Sequence, residues 1–234
     1  MRYAAGMDKG LAGVITEIEI LEDFSATARC DEGFLQVRRL RVHNRRGDGT
    51  ASRVYRVDVV DRPSLDAVGI LLYRRAETSA EYEVLTRRQL RPATHFRAGK
   101  PAAIQDPEPF LFVEEIVAGV LESGDVGEAG IRARAVEEAL EEAGFRLPLD
   151  SVQMLGGPFF VAPGILSEQI YLTLADVTGL PQAEPRGDGS PLEEGASMRW
   201  WPMAALLEAC RKGEIRDAKT ELAVSRLWAK LGPA

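Results

Sequence analysis

Ala118-Gly119-Val120-Leu121-Glu122-Ser123-Gly124-Asp125, followed after a spacer by Ala135-Val136-Glu137-Glu138-Ala139-Leu140-Glu141-Glu142-Ala143-Gly144-Phe145, places carboxylates along one side of a short helix. At 100° per residue, Glu138, Glu141 and Glu142 fall within an arc of about 100°, whereas Val136, Ala139, Leu140 and Ala143 turn towards a core. Like charges three or four residues apart cost an exposed helix roughly 0.2–0.5 kcal/mol per pair. Two readings accommodate that cost. One is a solvated face in an acidic protein; the other is a site for a hard divalent cation such as magnesium, which takes oxygen ligands.

Outward from this helix, the chain alternates between strand patterns and helix patterns. Gly13 to Leu21, Phe34 to His43 and Arg53 to Val60 read as strands, with Asn44 to Thr50 as a glycine-containing turn. In the second of these the apolar period slips once at Arg38-Arg39, which predicts a bulge and leaves the arginines on the solvent face of a β-ribbon. Asp66 to Tyr73 and Tyr82 to Arg88 predict a hairpin around residues 75–81, and Phe110 to Ile116 leads into the acidic helix segment. Met154 to Val161, Gln169 to Ala175 and Ser197 to Trp201 are later strands, the last preceded by a Gly, Pro and acid-rich loop from Glu184 to Gly195. Pro202 starts a helix over Met203 to Lys212, with Gly213 beyond its end, and Ala218 to Lys230 forms another. The order predicts an α+β fold, an α/β/α sandwich around a mixed sheet with an N-terminal antiparallel β region. The expected division is residues 1–62 for that region and 63–234 for the main domain.

Composition bounds the function. The chain has 234 residues, 45% hydrophobic and 28% charged, ample for a core and unlike a disordered segment. The apolar run Ala67 to Tyr73 is too short to cross a bilayer, and the N-terminus lacks a secretory apolar segment, so no membrane role and a cytoplasmic location are expected. A net charge of −7 argues against nucleic acid as the main partner, despite the arginine cluster from Arg38 to Arg46. Two cysteines, Cys30 and Cys210, and two histidines, His43 and His95, argue against a disulfide framework and against zinc.

The quoted stretch resembles the Nudix box: Gly, five residues, Glu, seven residues, then Arg-Glu-aliphatic-any-Glu-Glu-any-Gly-aliphatic. Glu138 to Phe145 fits the second half, with Phe145 in the last apolar slot, and Gly119 with Asp125 fits the first half, aspartate replacing glutamate. Two departures stand out. Eleven residues, Val126 to Val136, precede the second half, which predicts a longer loop carrying Gly127 and Gly130. Glu137 occupies the arginine position, and Arg134, one turn before Glu138, is the expected replacement cation.

Flanking motifs are similar to the ADP-ribose and nucleoside-diphosphate-sugar pyrophosphatase branch of that superfamily. Arg88-Gln89-Leu90-Arg91 resembles its Arg-Gln-aromatic-Arg segment, and Glu115-Ile116-Val117-Ala118-Gly119 its approach to the box. Ala162-Pro163-Gly164-Ile165-Leu166-Ser167-Glu168 resembles its Ser-Pro-Gly-x-x-x-Glu stretch, and Leu192-Glu193-Glu194-Gly195 its mobile acidic loop. Gly213-Glu214-Ile215-Arg216-Asp217-Ala218-Lys219-Thr220 is similar to the start of its last helix, read as structural, with Asp217 at the helix N-terminus.

The resemblance implies Mg2+, or Mn2+, held by Glu138, Glu141, Glu142 and the Ala118 carbonyl, with Glu193 or Glu194 orienting or deprotonating water. Arg88, Gln89, Arg91, Glu115, Gly164 and Glu168 would contact substrate. The implied reaction is pyrophosphate hydrolysis of a nucleoside diphosphate sugar, in a homodimer whose N-terminal regions serve dimerisation and substrate contact. ADP-ribose is the first substrate expected, with UDP-glucose and GDP-mannose next. Residues 39–46 and Arg91-Pro92-Ala93 resemble segments of the UDP-sugar pyrophosphatases. A catalytically silent domain sensing a nucleotide is the rival, supported by Glu137 and the long spacer.

Overall fold

The computed structural model describes residues 15, 17, 19–21, 23, 27–77, 81–106, 108–187 and 189–232. Strands β1 (Gln36–Val42) and β2 (Tyr55–Asp61) form an antiparallel two-stranded ribbon. Its register runs without interruption from Gln36 opposite Asp61 to Val42 opposite Tyr55, so the bulge expected at Arg38-Arg39 is absent. The slipped apolar pattern instead leaves Val37 and Leu40 half-buried on opposite faces, because neither face of the ribbon has a core to match. The strand expected over Gly13 to Leu21 falls largely outside the described residues.

Among the described residues the main sheet has eight strands: β3 (Ala67–Arg75), β4 (Tyr82–Leu90), β5 (Phe112–Glu115), β6 (Val117–Val120), β7 (Gln153–Met154), β8 (Phe159–Phe160), β9 (Gln169–Asp176) and β10 (Ser197–Pro202). Its order is β10-β4-β3-β9-β7, with β5 on β4, β6 on β3 and β8 on β9. β3 and β9 run parallel while the remaining pairs are antiparallel, giving the expected mixed sheet. The predicted hairpin of β3 and β4 pairs only where Tyr73, Arg74 and Arg75 meet Val84, Glu83 and Tyr82. Beyond it the strands diverge, and β5 and β6 fill the gap. The strand expected over Met154 to Val161 is split into β7 and β8, because Gly156, at φ +78, and Gly157 interrupt it.

Among the described residues four α-helices complete the layers: α1 (Pro92–His95), which sequence reasoning missed, α2 (Gly127–Ala143), α3 (Met203–Arg211) and α4 (Ala218–Leu231). Along β3 the side chains alternate, as a strand requires. Val68, Ile70 and Leu72 join the core under α2, whereas Ala67 and Leu71 join the core under α3 and α4. Each fully buried aliphatic contributes about 1.5–3 kcal/mol, and Leu71→Ala would cost about 2–5 kcal/mol.

The segment before Glu137, expected as a longer loop, is helical. Helix α2 starts at Gly127, so the additional residues add helical turns, which Glu128, Ala129 and the run Arg132 to Ala135 favour by propensity despite Gly130. Gly130 serves a close approach: a Cβ there would lie 2.4 Å from the Asp125 carbonyl carbon. The buried stripe of α2 is Ile131, Ala135, Ala139 and Ala143, with Val136 packed beside it and Leu140 half-buried. Gly144 ends the helix at φ +73, where the amides of Gly144 and Phe145 donate to the Leu140 and Ala139 carbonyls. Asp217 caps α4 by accepting from the Thr220 amide at 2.9 Å, the structural role expected of it.

Candidate active site

Strand β6 passes directly beneath α2 at Gly119. A Cβ on that residue would fall 1.7 Å from Glu138 Oε1, so the carboxylate is seated where any side chain would stand. One turn on, Glu142 lies by the Ala118 amide, whose dipole favours the charged carboxylate. Burial and the neighbouring charges of Glu142 and Glu141 push the Glu138 carboxyl up to about 7, Arg134 only partly offsetting them. Burial also raises Glu142, outweighing Arg87 and the Ala118 amide. Perturbation of this kind at Glu142, which lines a cavity, marks a candidate functional site. Glu141 is exposed at the rim, and its backbone carbonyl accepts from the Gly187 amide at 3.0 Å.

Facing these acids is Arg87, which sequence reasoning passed over. On β4 the residues Leu85, Arg87 and Gln89 face α2, whereas Thr86 and Arg88 face the other way. Arg87 is 4% exposed, forms an ion pair with Glu142, and donates from Nη2 to Glu193 Oε1 at 2.8 Å. Its two-residue offset from the apolar Leu85 was the available signal. Glu193 sits in a short helical turn, Pro191–Glu193, initiated by Ser190, whose side chain accepts from the Leu192 amide. Glu194 is exposed, so of the two loop glutamates only Glu193 joins the cluster. A cavity of about 340 Å3 opens here, lined by Arg87, Glu142, Glu184, Arg186, Glu193 and Ser197 among others.

The remaining expected residues are placed elsewhere. Arg88 is exposed, with its guanidinium 4.2 Å from the centre of the Phe112 ring, on the opposite face from the acids. Glu115 is 3% exposed and receives Gln89 Nε2 at 3.0 Å, Arg91 Nε at 2.6 Å and the Lys219 ammonium. It is thus a buried acceptor of three donors, and with Arg91 it borders a second cavity of about 560 Å3. Glu168 pairs with Arg62 at 2.5 Å, and Ser167 donates to Asp61 at 2.8 Å, so this segment anchors the base of the β1–β2 ribbon. Gly164 is exposed with open space around it.

Arg134 does not pair with Glu138. It reaches back to Asp125 at 2.9 Å, Glu137 at 3.0 Å and Glu122 at 3.3 Å. The cation expected to compensate Glu137 therefore acts by fixing the turn that precedes α2. The Asp125 carboxylate also accepts from the Glu122 amide at 2.8 Å.

Among the described residues, no three His, Cys, Asp or Glu side chains gather closely enough to enclose an ion by themselves. Magnesium is usually held by one or two carboxylates, the rest of its shell coming from water and substrate phosphate. Glu138 and Glu142 meet that description: both are acidic groups raised by burial, and Glu142 Oε2 is buried with no hydrogen-bond partner. Among the described residues no helix is long and apolar enough to cross a membrane.

No family model matches the chain. The GDP-mannose pyrophosphatase of Cronobacter sakazakii (strain ATCC BAA-894) is 30% identical over 197 residues, covering 84% of this chain and 89% of that protein. With alignment over most of both chains, the protein belongs to the family of that GDP-mannose pyrophosphatase.

Proposed function

We propose that the protein is a Nudix-type, divalent-metal-dependent enzyme that hydrolyses the pyrophosphate bond of a nucleoside diphosphate sugar, releasing a nucleoside monophosphate and a sugar phosphate. The observation that carries this reading is Glu138 seated over Gly119 beside Glu142 with its unpartnered oxygen. Glu138 and Glu142 would hold the ion, with Glu141 at the rim. When bound, Mg2+ or Mn2+ supplies charge neutralisation of the diphosphate and acidification of a water. Glu193 orients that water or accepts its proton. Arg87 and Arg186, on the wall of the same cavity, bind phosphate oxygens. Positioning and neutralisation carry most of phosphoryl chemistry, so the site needs no histidine or cysteine nucleophile.

The relative's name moves GDP-mannose ahead of ADP-ribose, the first expectation from the sequence. The test is nucleoside monophosphate release from GDP-mannose, ADP-ribose and UDP-glucose with magnesium, with and without chelator. Release abolished by chelator and by Glu138→Gln upholds the reading, and absence of release from the whole panel overturns it. A homodimer is proposed as well. Among the described residues the β1–β2 ribbon has two strands, below the number that is stable alone, and Phe34, Leu35, Val54 and Tyr55 around it are exposed. Light scattering giving a monomer mass would remove this part.

A second reading, a catalytically silent nucleotide-binding domain, is favoured by Arg87 already paired with Glu142. Metal-dependent turnover separates the two.

A further inference from the structure

We infer that Arg87 is the resident counter-cation of the acid cluster: it competes with a divalent ion for Glu142 and, displaced from that carboxylate, turns to the diphosphate of the substrate. The inference rests on the pyrophosphatase reading of the same cavity.

Arg87 is held from two elements at once, Glu142 on α2 and Glu193 on the loop that follows β9. A guanidinium keeps its charge at any accessible pH, so it is a permanent positive charge among these carboxylates. It is also 4% exposed, which removes most of the solvent screening that would otherwise weaken its effect. The pairing is incomplete on the acid side. Glu142 Oε1 faces Arg87, whereas Oε2 is buried with no hydrogen-bond partner. One guanidinium therefore neutralises Glu142 without saturating it, and Oε2 is the atom left for a stronger cation. An incoming ion meets repulsion from Arg87, so the arginine lowers metal affinity below what the acids alone would give. The same arginine lines the cavity in which an anionic ligand would lie, and its planar fork suits phosphate oxygens. The loop carries the other half of the clamp. The Gly189 amide donates to Glu193 Oε2 at 3.3 Å, and a Cβ at Gly187 would lie 2.1 Å from that oxygen, so Glu193 is fixed by its own loop and keeps Arg87 within the site.

The test is Mn2+ binding to chelator-treated full-length protein, followed by the loss of the free-ion EPR signal, in wild type, Arg87→Gln and Arg87→Lys. Arg87→Gln is expected to bind Mn2+ about tenfold more tightly than wild type, about 1.4 kcal/mol. Arg87→Lys, which keeps the charge, is expected to stay near the wild-type affinity. In the presence of saturating Mn2+, methylenediphosphonate is expected to bind about tenfold more weakly to Arg87→Gln. Equal or weaker Mn2+ binding by Arg87→Gln overturns the inference. If Arg87→Gln folds only with Mn2+, at concentrations that leave the wild-type melting midpoint unmoved, the inference holds; if Mn2+ does not restore its fold, the inference falls. A wild type that neither binds Mn2+ nor hydrolyses any sugar nucleotide sinks the hydrolase reading separately. In that case Arg87→Gln that gains Mn2+ binding still upholds the counter-cation, and no gain overturns both.

Discussion

Arg134 Nε donates to Asp125 Oδ2 at 2.9 Å, joining the second turn of α2 to the loop that leaves β6. The arginine lies three residues before Glu137, which occupies the arginine slot of the resembled motif, and its side chain is 16% exposed. Burial would weaken the charged form of Arg134, but its pairing with Asp125, Glu137 and Glu122 more than restores it. Arg134→Ala is expected to destabilise the protein by about 1.5–3 kcal/mol, the range for hydrogen bonds to charged groups, read by chemical denaturation. Metal affinity and turnover are expected to fall with it, since Gly119 and Glu138 lie beside the released loop. Unchanged turnover and metal affinity would remove Arg134 from the site.

Gly119→Ala places a methyl where Glu138 Oε1 now lies. The Glu138 side chain has to move from Cγ outward but no backbone atom is met, so the fold is expected to survive with a melting midpoint within a few degrees of wild type. Turnover is expected to drop by at least about 100-fold, the scale of a misplaced catalytic group. Near-normal turnover would show that Glu138 acts from another position.

The Glu138 carboxyl, raised to about 7 by burial and by its acidic neighbours, makes metal-free stability depend on pH. Its folded value lies above the ordinary 4.5, so its contribution is fully present below about 4.5 and is lost as pH rises through about 7. The melting midpoint in chelator is expected to fall between those values in wild type. Glu138→Gln, which cannot ionise, is expected to flatten that segment of the curve. Parallel curves for the two proteins would reject the assignment.

Lys219 meets Glu115 in a buried pair, at 8% and 3% exposure, with Arg91 on the other side. Burial pulls the Glu115 carboxyl up, but Lys219 and Arg91 outweigh it and hold it below its usual range. Its stabilisation is thus present above that range and is lost as pH falls through the lowered value. Lys219→Met strands the carboxylate and is expected to cost about 3–5 kcal/mol. The double variant Lys219→Met with Glu115→Gln is expected to recover part of that loss in denaturant melts. Additive costs would mean that the two side chains do not act as a pair.

The sequence by itself determined the order of the main elements, α1 and the breaks between β5 and β6 and between β7 and β8 excepted, since strand alternation and helix caps are local properties. Ser197 to Trp201, Gln169 to Ala175 and the two closing helices are all present within a residue or so at each end. It also determined that Glu138 and Glu142 share a helix face, because 3.6 residues per turn places them there whatever surrounds the helix. Tertiary structure decided what lies opposite that face. The divergence of β3 and β4 admits β6 beneath α2, and the phase of β4 turns Arg87 rather than Arg88 towards the acids. Burial of Glu115 against Lys219, more than a hundred positions away, is likewise a matter of packing. Side-chain alternation can be read from a strand, but the identity of its buried face is set by the neighbour it packs against, and that neighbour is distant in sequence.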